Sequence, residues 1–392
     1  MNKYIQGKKD ELIKPKILLV ANSSWYIYNF RLPLIKALKD KGYEVVIVSP
    51  EDKYTNILQK NNFKTRKWIL SRVSLNPILE MNSIIDLIKI YSKEKPKLVH
   101  HFTIKACLYG TIAAKLAGIY FVINAITGLG HVFLGNRKRN ILLRRLLKPI
   151  YRGVFMARRS TVVFQNADDQ ERLIELGITD DSRSRLIRGS GVDINYFQPK
   201  KNFVGTFSNP LQILFPSRLI KEKGIEELLQ ACEGLWKEGI DIELLIAGAE
   251  DDGNRSSLNK EDIDVLSREK RIKCLGHIDD MKSLYSSCDI VVLPSWREGL
   301  SRALIEAAAM EIPIITTDVP GCRDVVDHGK SGLLVPLKNH KAIALAIKLL
   351  IENPKLARKF GQEAREKVVN EFQVSLVNKS TLDQYEFLLK AN

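Results

Sequence analysis

The feature that most constrains the fold is a series of strand-length apolar runs that recurs along the whole chain. The runs are nearly continuous in apolar content instead of alternating with polar residues, which is typical of parallel strands covered on both faces. Helical patterns such as RLPLIKALKDKG (31–42) and NSIIDLIKIYSKEK (82–95) separate the runs, and this predicts a doubly wound α/β fold. The first set of runs is KILLVA (16–21), EVVIVSP (44–50), KLVHHF (97–102), YFVINAI (120–126), TVVFQN (161–166) and SRLIRGSG (184–191).

The pattern then restarts, which predicts a second domain of the same kind. A chain of 392 residues is too long for one core and suits two domains of roughly 100–200 residues each. We expect an N-terminal Rossmann-like domain at 1–197, a linker at 198–210, a C-terminal Rossmann-like domain at 211–372, and a helix at 373–392 that could return to the first domain. The second set of runs is QILFPSR (212–218), IELLIAGA (242–249), RIKCLG (271–276), DIVVLP (289–294), PIITTD (313–318) and GLLVP (332–336).

A cluster of cations follows the first strand of the second domain. Ligands of doubly wound sheets bind at the carboxyl ends of the strands, and two such domains leave a cleft there. Arg218, Lys221 and Lys223 lie at such a strand end, and Gly224 opens a helix. Cations beside a helix N-terminus favour an anion, so we expect a phosphate group to bind here. A solvated basic loop is the alternative interpretation.

Two carboxylates follow a later strand of the same domain. In DIVVLPSWREGLSRALIEAAAM (289–310), Glu298 lies in the loop after the strand and Glu306 on the next helix. A carboxylate in such a loop can accept hydrogen bonds from sugar hydroxyls, and one further along the helix can hold a ribose diol. Two solvated side chains would give the same pattern, because Glu is a common residue.

The first half offers a histidine and a lysine at another strand end, in LVHHFTIKACLYG (98–110). Adjacent strand residues point to opposite faces, so at most one of His100 and His101 faces the cleft, and a two-histidine metal site is not expected. We expect His101 and Lys105 to face a ligand, with a packed histidine as the alternative.

A glycine pair follows the next strand, in NAITGLGHVF (124–133). Gly128 and Gly130 permit close backbone approach to a ligand. The segment lacks the third glycine of a dinucleotide-binding motif, so no dinucleotide cofactor is expected.

Composition indicates a cytosolic protein. The five cysteines are scattered and form no CxxC pair, which argues against a disulfide framework or a zinc site. The N-terminal segment lacks the apolar core of a signal peptide, and no run of 18 apolar residues is present. We expect a reducing compartment, no cofactor and no metal site.

Positive charge is concentrated in the first half. Residues 1–200 hold 35 Lys and Arg against 16 Asp and Glu, a net +19, whereas residues 201–392 hold 26 against 29, a net −3. The stretch 136–160 has nine basic residues, no acidic residue and several leucines, so it can lie on an anionic membrane through Arg144, Arg145 and Lys148. An RNA-binding helix has the same composition, but no RNP or KH motif supports it, so we expect no nucleic-acid partner.

These motifs together resemble the retaining nucleotide-sugar glycosyltransferases of family 4, which have the GT-B architecture of two Rossmann-like domains facing a cleft. The resemblance is carried by FPSRLIKEKG (215–224), LLIAGA (244–249) and LPSWREGLSRALIEAAAMEIPIITTDVPGCRDVVDHGKSGLLVP (293–336), and SGVDINYFQP (190–199) resembles the family's segment before the linker. The match covers nearly the whole chain in order. It implies a metal-independent hexosyltransferase that uses a nucleotide-sugar donor, with a UDP-sugar expected.

The N-terminal half resembles one branch of this family. SWYIYNFRLPLIKALKDKGYEVVIVSPEDKYT (24–55) and SRVSLNP (71–77) are similar to N-acetylgalactosaminyltransferases that act on undecaprenyl-diphosphate-linked sugars. This implies an N-acetylhexosamine donor such as UDP-GalNAc, a lipid-linked saccharide acceptor in bacterial surface-glycan synthesis, and a peripheral location on the inner face of the plasma membrane.

The resemblance also implies roles for individual residues. Arg218 and Lys223 would bind the donor diphosphate, and Glu298 with the amides of Gly299 and Leu300 would contact the donor sugar. Many relatives carry a histidine before the glycine pair, where this chain has a threonine. Glu306 would bind the ribose, and Thr127 and Gly128 would contact the donor. For the acceptor we expect contacts from Tyr28, Asn29 and Arg31, in a loop at the end of the first strand and hence on the cleft side, together with His101 and Lys105.

Two other functions remain open from the sequence. A sugar-nucleotide epimerase would share the architecture but would need an acid/base pair and no lipid acceptor. A non-catalytic, basic lipid- or RNA-binding protein would not need Arg218, Lys223 and Glu306, all of which are present.

Overall fold

Two parallel β-sheets organise the part of the chain that the computed structural model describes, which is residues 15–71, 76–129, 138–157, 159–199, 207–251, 253–254 and 256–390. The first sheet has seven strands in the order β3-β2-β1-β4-β5-β6-β7. Leu19 lies opposite Ile47 on one side and His100 on the other, so β1 is an inner strand. The strands are β1 (Lys16–Val20), β2 (Glu44–Ser49), β3 (Lys64–Lys67), β4 (Leu98–Phe102), β5 (Phe121–Ile126), β6 (Ser160–Phe164) and β7 (Ser184–Leu186).

The second sheet has six parallel strands in the order β10-β9-β8-β11-β12-β13. Its order changes direction between β8 and β11, which are neighbours in the sheet although three strands apart in number. Doubly wound sheets bind ligands at the carboxyl side of such a switch point. The strands are β8 (Leu211–Phe215), β9 (Ile242–Ile246), β10 (Ile272–Cys274), β11 (Ile290–Leu293), β12 (Ile314–Thr317) and β13 (Leu333–Val335).

Helices connect most of these strands, as parallel pairing requires. In the first half they are α1 (Ser24–Asp40), α2 (Lys53–Lys60), α3 (Pro77–Glu94), α4 (Ile104–Leu116), α5 (Lys138–Phe155) and α6 (Ala167–Glu175). In the second half they are α7 (Ile225–Lys237), α8 (Lys260–Leu266), α9 (Met281–Ser287), α10 (Arg302–Ala309), α11 (His340–Glu352), α12 (Pro354–Lys367) and α13 (Val374–Lys390).

The chain divides into two compact units. The first comprises the chain up to Asn124, Ala157–Thr161 and the chain from Leu382 onward, and the second comprises Ala125–Met156 and Val162–Thr381. In the first unit, Tyr385 of α13 hydrogen-bonds through its hydroxyl with Nδ1 of His100 at 2.5 Å. The domain limits expected from the sequence stay a proposal.

Every apolar run in the sequence overlaps a strand, and the inner strands are buried on both faces. The runs do not reveal β3, whose sequence KTRK is polar. This strand pairs with β2 alone among the described residues, so it lies at an edge and carries no burial pattern.

Helix α1 begins earlier than the sequence suggests. The prediction that Tyr28, Asn29 and Arg31 lie in a loop is wrong, because the helix already begins at Ser24. The hydroxyl of Ser23 accepts a hydrogen bond from the Tyr26 amide and caps the first turn.

A buried carboxylate on α3 joins three cations from strands β1 and β3 of the first unit. Glu94, at the end of α3, pairs with Lys16 at 3.0 Å, Lys64 at 3.3 Å and Arg66 at 2.6 Å. Burial alone would raise the pKa of the Glu94 carboxyl, but the hydrogen bonds from these three cations outweigh burial and lower it to about 2.

We predict that Glu94 makes the first unit sensitive to acid. The folded-state pKa lies below the unfolded value of about 4.3, so the stabilisation is present above that pH and is lost as the pH falls towards 2. Glu94→Gln should lower the free energy of unfolding at pH 7 by about 1–2 kcal/mol, allowing for the partly exposed cations, and should flatten its pH dependence below about pH 4.5. Urea titrations at a series of pH values measure both effects.

Glu51→Gln is the matched control, since Glu51 pairs with Lys67 at 2.8 Å with both side chains more than half exposed. This substitution should change the free energy of unfolding by less than about 0.5 kcal/mol. Equal effects of the two substitutions would contradict the assignment of the acid response to Glu94.

Candidate functional site

The candidate site lies in the second unit, at the carboxyl ends of β8, β9 and β11. The loop between β8 and α7 carries Arg218 and a 3₁₀ turn at Lys221–Lys223. The loop between β11 and α10 carries Glu298, Gly299 and Leu300. Because β8 and β11 are neighbours in a parallel sheet, these two loops emerge side by side.

Lys223 and Glu298 form an ion pair between these two loops. Their side chains are 14% and 12% exposed, so the charges are largely shielded from water while still accessible at one side. The structure thus brings together the predicted diphosphate-binding lysine and the predicted sugar-contacting carboxylate.

Arg218 pairs with Asp251, a residue in the loop that follows β9. The distance from Nη1 of Arg218 to Oδ2 of Asp251 is 2.6 Å. The arginine side chain is half exposed, which leaves its guanidinium accessible to an anion in solution. An incoming diphosphate would therefore compete with Asp251 for this cation.

Glu306 is held by two neighbours on the helical side of the sheet. Its Oε1 accepts a hydrogen bond from Nε of Arg302 at 2.7 Å, one turn earlier on α10. The hydroxyl of Tyr285 lies 3.4 Å from Oε2. Burial, aided by the charge of Glu306, raises the pKa of Tyr285 well above its ordinary value, so the phenol stays protonated as a hydrogen-bond donor.

The predicted backbone contacts to the donor also converge in this unit. A Cβ on Gly299 would lie 2.0 Å from the carbonyl oxygen of Thr127, so the two segments approach closely only because residue 299 is a glycine. Gly128 lies against Gly299, and Leu300 packs against Gly189. Gly130, also singled out in the sequence, lies outside the described residues.

The sequence did not identify three residues that hold the loop after β11. The carboxylate of Asp169, in the first turn of α6, pairs with the guanidinium of Arg297. Nδ2 of Asn166 donates to the carbonyl oxygen of Gly299 at 2.6 Å. Polar residues at the end of β6 were the available signal, but nothing local indicates which distant loop they contact.

The gathered groups suit an anionic ligand with hydroxyl groups. Two cations, helix N-termini and carboxylate acceptors lie at one sheet edge, which is chemistry for phosphate and sugar recognition. In the described part of the chain, no three His, Cys, Asp or Glu side chains converge in a way that could hold a metal ion.

The predicted acceptor residues lie in the first unit. The structure corrects the prediction for Arg31, which is buried and does not face a ligand. Its side chain is buried, its Nη2 donates to the Tyr26 hydroxyl at 2.7 Å, and its guanidinium lies 4.4 Å from the centre of the Phe102 ring. Tyr28 and Asn29 are half-buried on α1. Contact of these two residues with an acceptor stays a prediction.

His101 occupies a packed position, which corrects the expectation that it faces a ligand. It is fully buried, its Nδ1 hydrogen-bonds with Oδ1 of Asn124 at 2.8 Å, and its Nε2 hydrogen-bonds with the Tyr91 hydroxyl at 2.9 Å. Both ring nitrogens are therefore already used. A Cβ on Gly110 would lie 2.3 Å from Nε2, so α4 packs directly on the ring.

Lys105 opens α4 and is engaged within the first unit. Its Nζ donates to Oε1 of Glu80 at 2.9 Å and to the carbonyl oxygen of Ser71 at 3.0 Å. Its proposed contact with an acceptor would compete with this ion pair.

Helix α5, at 138–155 within the basic stretch, exposes an apolar stripe. Leu142, Leu146 and Ile150 are spaced four residues apart and are more than half exposed. Arg145 and Lys148 are exposed on the same helix, and Arg144 is half-buried. Among the described residues, no helix is both long enough and apolar enough to cross a membrane.

Two family models match the chain in sequence order. Residues 16–166 match the model described as glycosyl transferase 4-like, and residues 197–367 match that of the glycosyl transferases group 1. The second range contains Arg218, Lys223, Glu298 and Glu306.

Three relatives are bacterial glycosyltransferases. The chain is 26% identical to the N,N'-diacetylbacillosaminyl-diphospho-undecaprenol alpha-1,3-N-acetylgalactosaminyltransferase of Campylobacter jejuni, covering 96% of this chain and 99% of that protein. It is 27% identical to a capsular polysaccharide biosynthesis glycosyltransferase of Staphylococcus aureus, covering 91% and 93%. It is 25% identical to the UDP-Gal:alpha-D-GlcNAc-diphosphoundecaprenol alpha-1,3-galactosyltransferase of Escherichia coli, covering 77% and 78%.

Two solved structures share the fold. The sucrose-phosphate synthase of Thermosynechococcus elongatus superposes with a TM-score of 0.79 at 19% identity, covering 97% of this chain and all of that chain. Anabaena HepE, solved with UDP and glucose, gives a TM-score of 0.76 at 18% identity, covering 95% and 99%. This likeness shows the fold, which is GT-B, and confirms the fold class expected from the sequence.

We predict that His101 stabilises the fold in a pH-dependent way. Burial lowers its pKa to about 4, although the Asn124 hydrogen bond acts in the opposite direction. The unfolded value is about 6.5, so the stabilisation is present above pH 6.5 and is lost as the pH falls towards 4, at about 1.4 kcal/mol per pH unit. His101→Gln should reduce this slope of the free energy of unfolding. His277→Gln, at an exposed histidine, should leave the slope unchanged, and equal slopes in all three proteins would refute the packed role.

Proposed function

We propose a specific reaction for this chain, which belongs to the group 1 glycosyltransferase family and has the GT-B fold. It transfers a sugar from a UDP-sugar to a saccharide linked to polyprenyl diphosphate, with retention of the anomeric configuration and without a metal ion. The observation that carries the proposal is the Lys223–Glu298 ion pair, with the Arg218–Asp251 pair also at the carboxyl ends of the strands and Glu306 on the helix that follows the Glu298 loop.

The donor is assigned from the charges at this edge. A nucleoside diphosphate presents an anionic diphosphate, a ribose diol and a sugar, and the edge offers cations, the Glu306 carboxylate and the loop after β11. A UDP-sugar is favoured because the name of the Escherichia coli relative includes UDP-Gal. An N-acetylhexosamine such as GalNAc is proposed because the Campylobacter relative is an N-acetylgalactosaminyltransferase.

The acceptor is assigned from the relatives and from the basic first half. Both the Campylobacter and the Escherichia coli relatives are named for acceptors that carry a diphospho-undecaprenol group. The net charge of +19 in residues 1–200 would attract such an anionic head group. We place the reaction in bacterial surface-glycan synthesis, with Tyr28, Asn29 and Lys105 as candidate acceptor contacts.

The chemistry follows from the charges on the two loops. The bond between the anomeric carbon and the diphosphate breaks, and Arg218 and Lys223 stabilise the negative charge that develops on the leaving UDP. The acceptor hydroxyl attacks on the same face and gives its proton to the leaving phosphate. Glu298 is paired with Lys223, which disfavours it as the covalent nucleophile of a retaining hydrolase.

The proposed location is the inner face of the plasma membrane, with α5 as the contact. Exposed leucines beside Arg145 and Lys148 can insert among head groups while the cations bind anionic lipid. No nucleic-acid partner is proposed. The tail of a polyprenyl acceptor stays in the bilayer, so membrane binding would bring enzyme and acceptor together.

An acceptor-dependent assay tests the reaction. The purified chain is incubated in excess EDTA with UDP-sugars and a synthetic polyprenyl-diphosphate saccharide, and released UDP and lipid products are measured. We expect UDP release that depends on the acceptor, with the product in the donor's anomeric configuration. Epimerised UDP-sugar without transfer, or transfer only after manganese is added, would contradict the proposal.

We predict that Arg218→Ala lowers kcat by at least roughly tenfold, because one preorganised cation on the leaving group is lost. The matched control is Arg172→Ala, which removes an arginine that is also exposed and ion-paired, with Glu175 at 3.2 Å in the last turn of α6. The control should keep wild-type turnover. Near-wild-type turnover of Arg218→Ala, with the control also active, would remove Arg218 from the site.

We predict that α5 controls membrane binding. Arg145→Glu with Lys148→Glu should reduce sedimentation with vesicles that contain phosphatidylglycerol, and wild-type binding should weaken as salt rises, since screening acts over about 10 Å at 0.1 M salt. Activity on long-chain acceptors should fall, and activity on a short, water-soluble acceptor should persist.

Lys355→Glu with Lys359→Glu is the control for membrane binding, because it makes the same change in net charge on exposed positions of α12. This variant should bind vesicles more tightly than the α5 variant does. Equal sedimentation of wild type and both variants would contradict a membrane role for α5.

A further inference from the structure

The segment 295–301, between β11 and α10, is here named the donor loop because it carries Glu298, Gly299 and Leu300. Within its own sheet it is held by backbone hydrogen bonds and by side-chain contacts that include the Lys223–Glu298 ion pair. The amide of Glu298 donates to the carbonyl oxygen of Pro320 at 3.2 Å, and the amide of Ser301 donates to that of Gly321 at 3.2 Å. Sugar transfer requires the reacting groups to lie within about half an ångström of their productive positions. Additional contacts that fix this loop should therefore raise the rate of transfer.

Side chains from the first turn of α6 supply a second set of contacts. Asp169 pairs with Arg297, the residue directly before Glu298. Asn166 donates to the carbonyl oxygen of Gly299, directly after Glu298. The two contacts therefore hold the donor loop on either side of its carboxylate.

The two α6 residues are also coupled to each other. Oδ1 of Asn166 accepts the amide of Asp169 at 2.7 Å and caps the helix. This bond fixes the side chain of Asn166, so its Nδ2 is directed at Gly299. A change at Asp169 would be transmitted to Asn166 through the same turn.

The geometry of the Asp169–Arg297 ion pair is not that of a pair that strongly stabilises the fold. The Asp169 side chain is only 2% exposed, and burial raises its pKa against the opposing effect of Arg297. Oδ2 of Asp169 and Nε of Arg297 have no hydrogen-bond partner within the described part of the chain. A buried pair with unsatisfied atoms is weak evidence for stability and is better explained by a positional role.

We propose that Asp169, Arg297 and Asn166 are positioning residues that set the donor loop for sugar transfer. The inference rests on the proposed function, since the loop needs a set geometry only if Glu298 and the adjacent amides contact the donor sugar. None of the three residues is required to touch the substrate. UDP itself would still be held by Arg218, Lys223 and Glu306.

Steady-state kinetics of the full chain test this division. Arg297→Ala and Asp169→Asn should each lower kcat at least about tenfold, while UDP as a competitive inhibitor keeps its affinity within about threefold. The kcat of the double variant should be no lower than that of the less active single variant, because both substitutions break the same contact. Arg297→Lys keeps the charge but not the guanidinium fork, and it should lower kcat by at least about threefold even where the alanine variant folds poorly.

Arg323→Ala is the matched control. Arg323 pairs with Asp168, the neighbour of Asp169, at 3.2 Å, but both side chains are 42% exposed. This variant should keep kcat within about twofold of wild type. Wild-type kcat in Arg297→Ala, or a loss of UDP affinity that parallels the loss of kcat, would overturn the proposal.

Hydrogen–deuterium exchange separates this proposal from the proposed function. Amides of the donor loop should exchange faster in Arg297→Lys than in wild type or Arg323→Ala, whether or not the chain transfers sugar. Unchanged exchange would overturn the positioning role by itself. Absence of transfer by the wild-type chain, with faster exchange in Arg297→Lys, would instead overturn the proposed function.

Discussion

The ion pair between Lys223 and Glu298 is the interaction on which the candidate site depends. The two residues lie 75 positions apart in the sequence and meet because β8 and β11 are parallel neighbours. Each loop is too polar to gain from burial, so the sheet beneath must supply the free energy that holds them together. The apolar strands and the helices that cover them therefore create the site, although the side chains of the strands take no part in the chemistry.

The same geometry explains why charges of both signs gather at this edge. Arg218 and Lys223 would repel each other if their charges were not balanced, and Asp251 and Glu298 balance them. These carboxylates also hold the cations at the strand ends before a substrate arrives. Preorganised charge of this kind stabilises a transition state more effectively than charge that must first be assembled.

The sequence predicts the inner strands of both sheets, because burial on both faces requires continuous apolar runs. The inner strands appear as continuous apolar runs, and the groups that follow them could be ranked because strand ends of parallel sheets bind ligands. Strand β3 escaped prediction because its sequence, KTRK, is polar, and the start of α1 escaped because Ser23 caps it through a single side chain.

Residue contacts were harder to predict than residue positions. His101 lies at a strand end, as expected, but the sequence could not show that Asn124 and Tyr91 use both of its nitrogens. Nor could it show that Asp169 contacts Arg297, since the two residues are 128 positions apart, the first on α6 and the second in the loop after β11. Such pairings depend on how elements pack and leave no local signal.

A crystal structure with UDP tests directly whether the carboxyl edge of the second sheet holds a nucleoside diphosphate. We expect diphosphate oxygens within about 3 Å of Nζ of Lys223 and of the guanidinium of Arg218, with the ribose hydroxyls at Glu306. Asp251 should then give up its contact with Arg218 to the phosphate. UDP bound elsewhere in the molecule, or at this edge with its diphosphate away from both cations, would contradict this expectation.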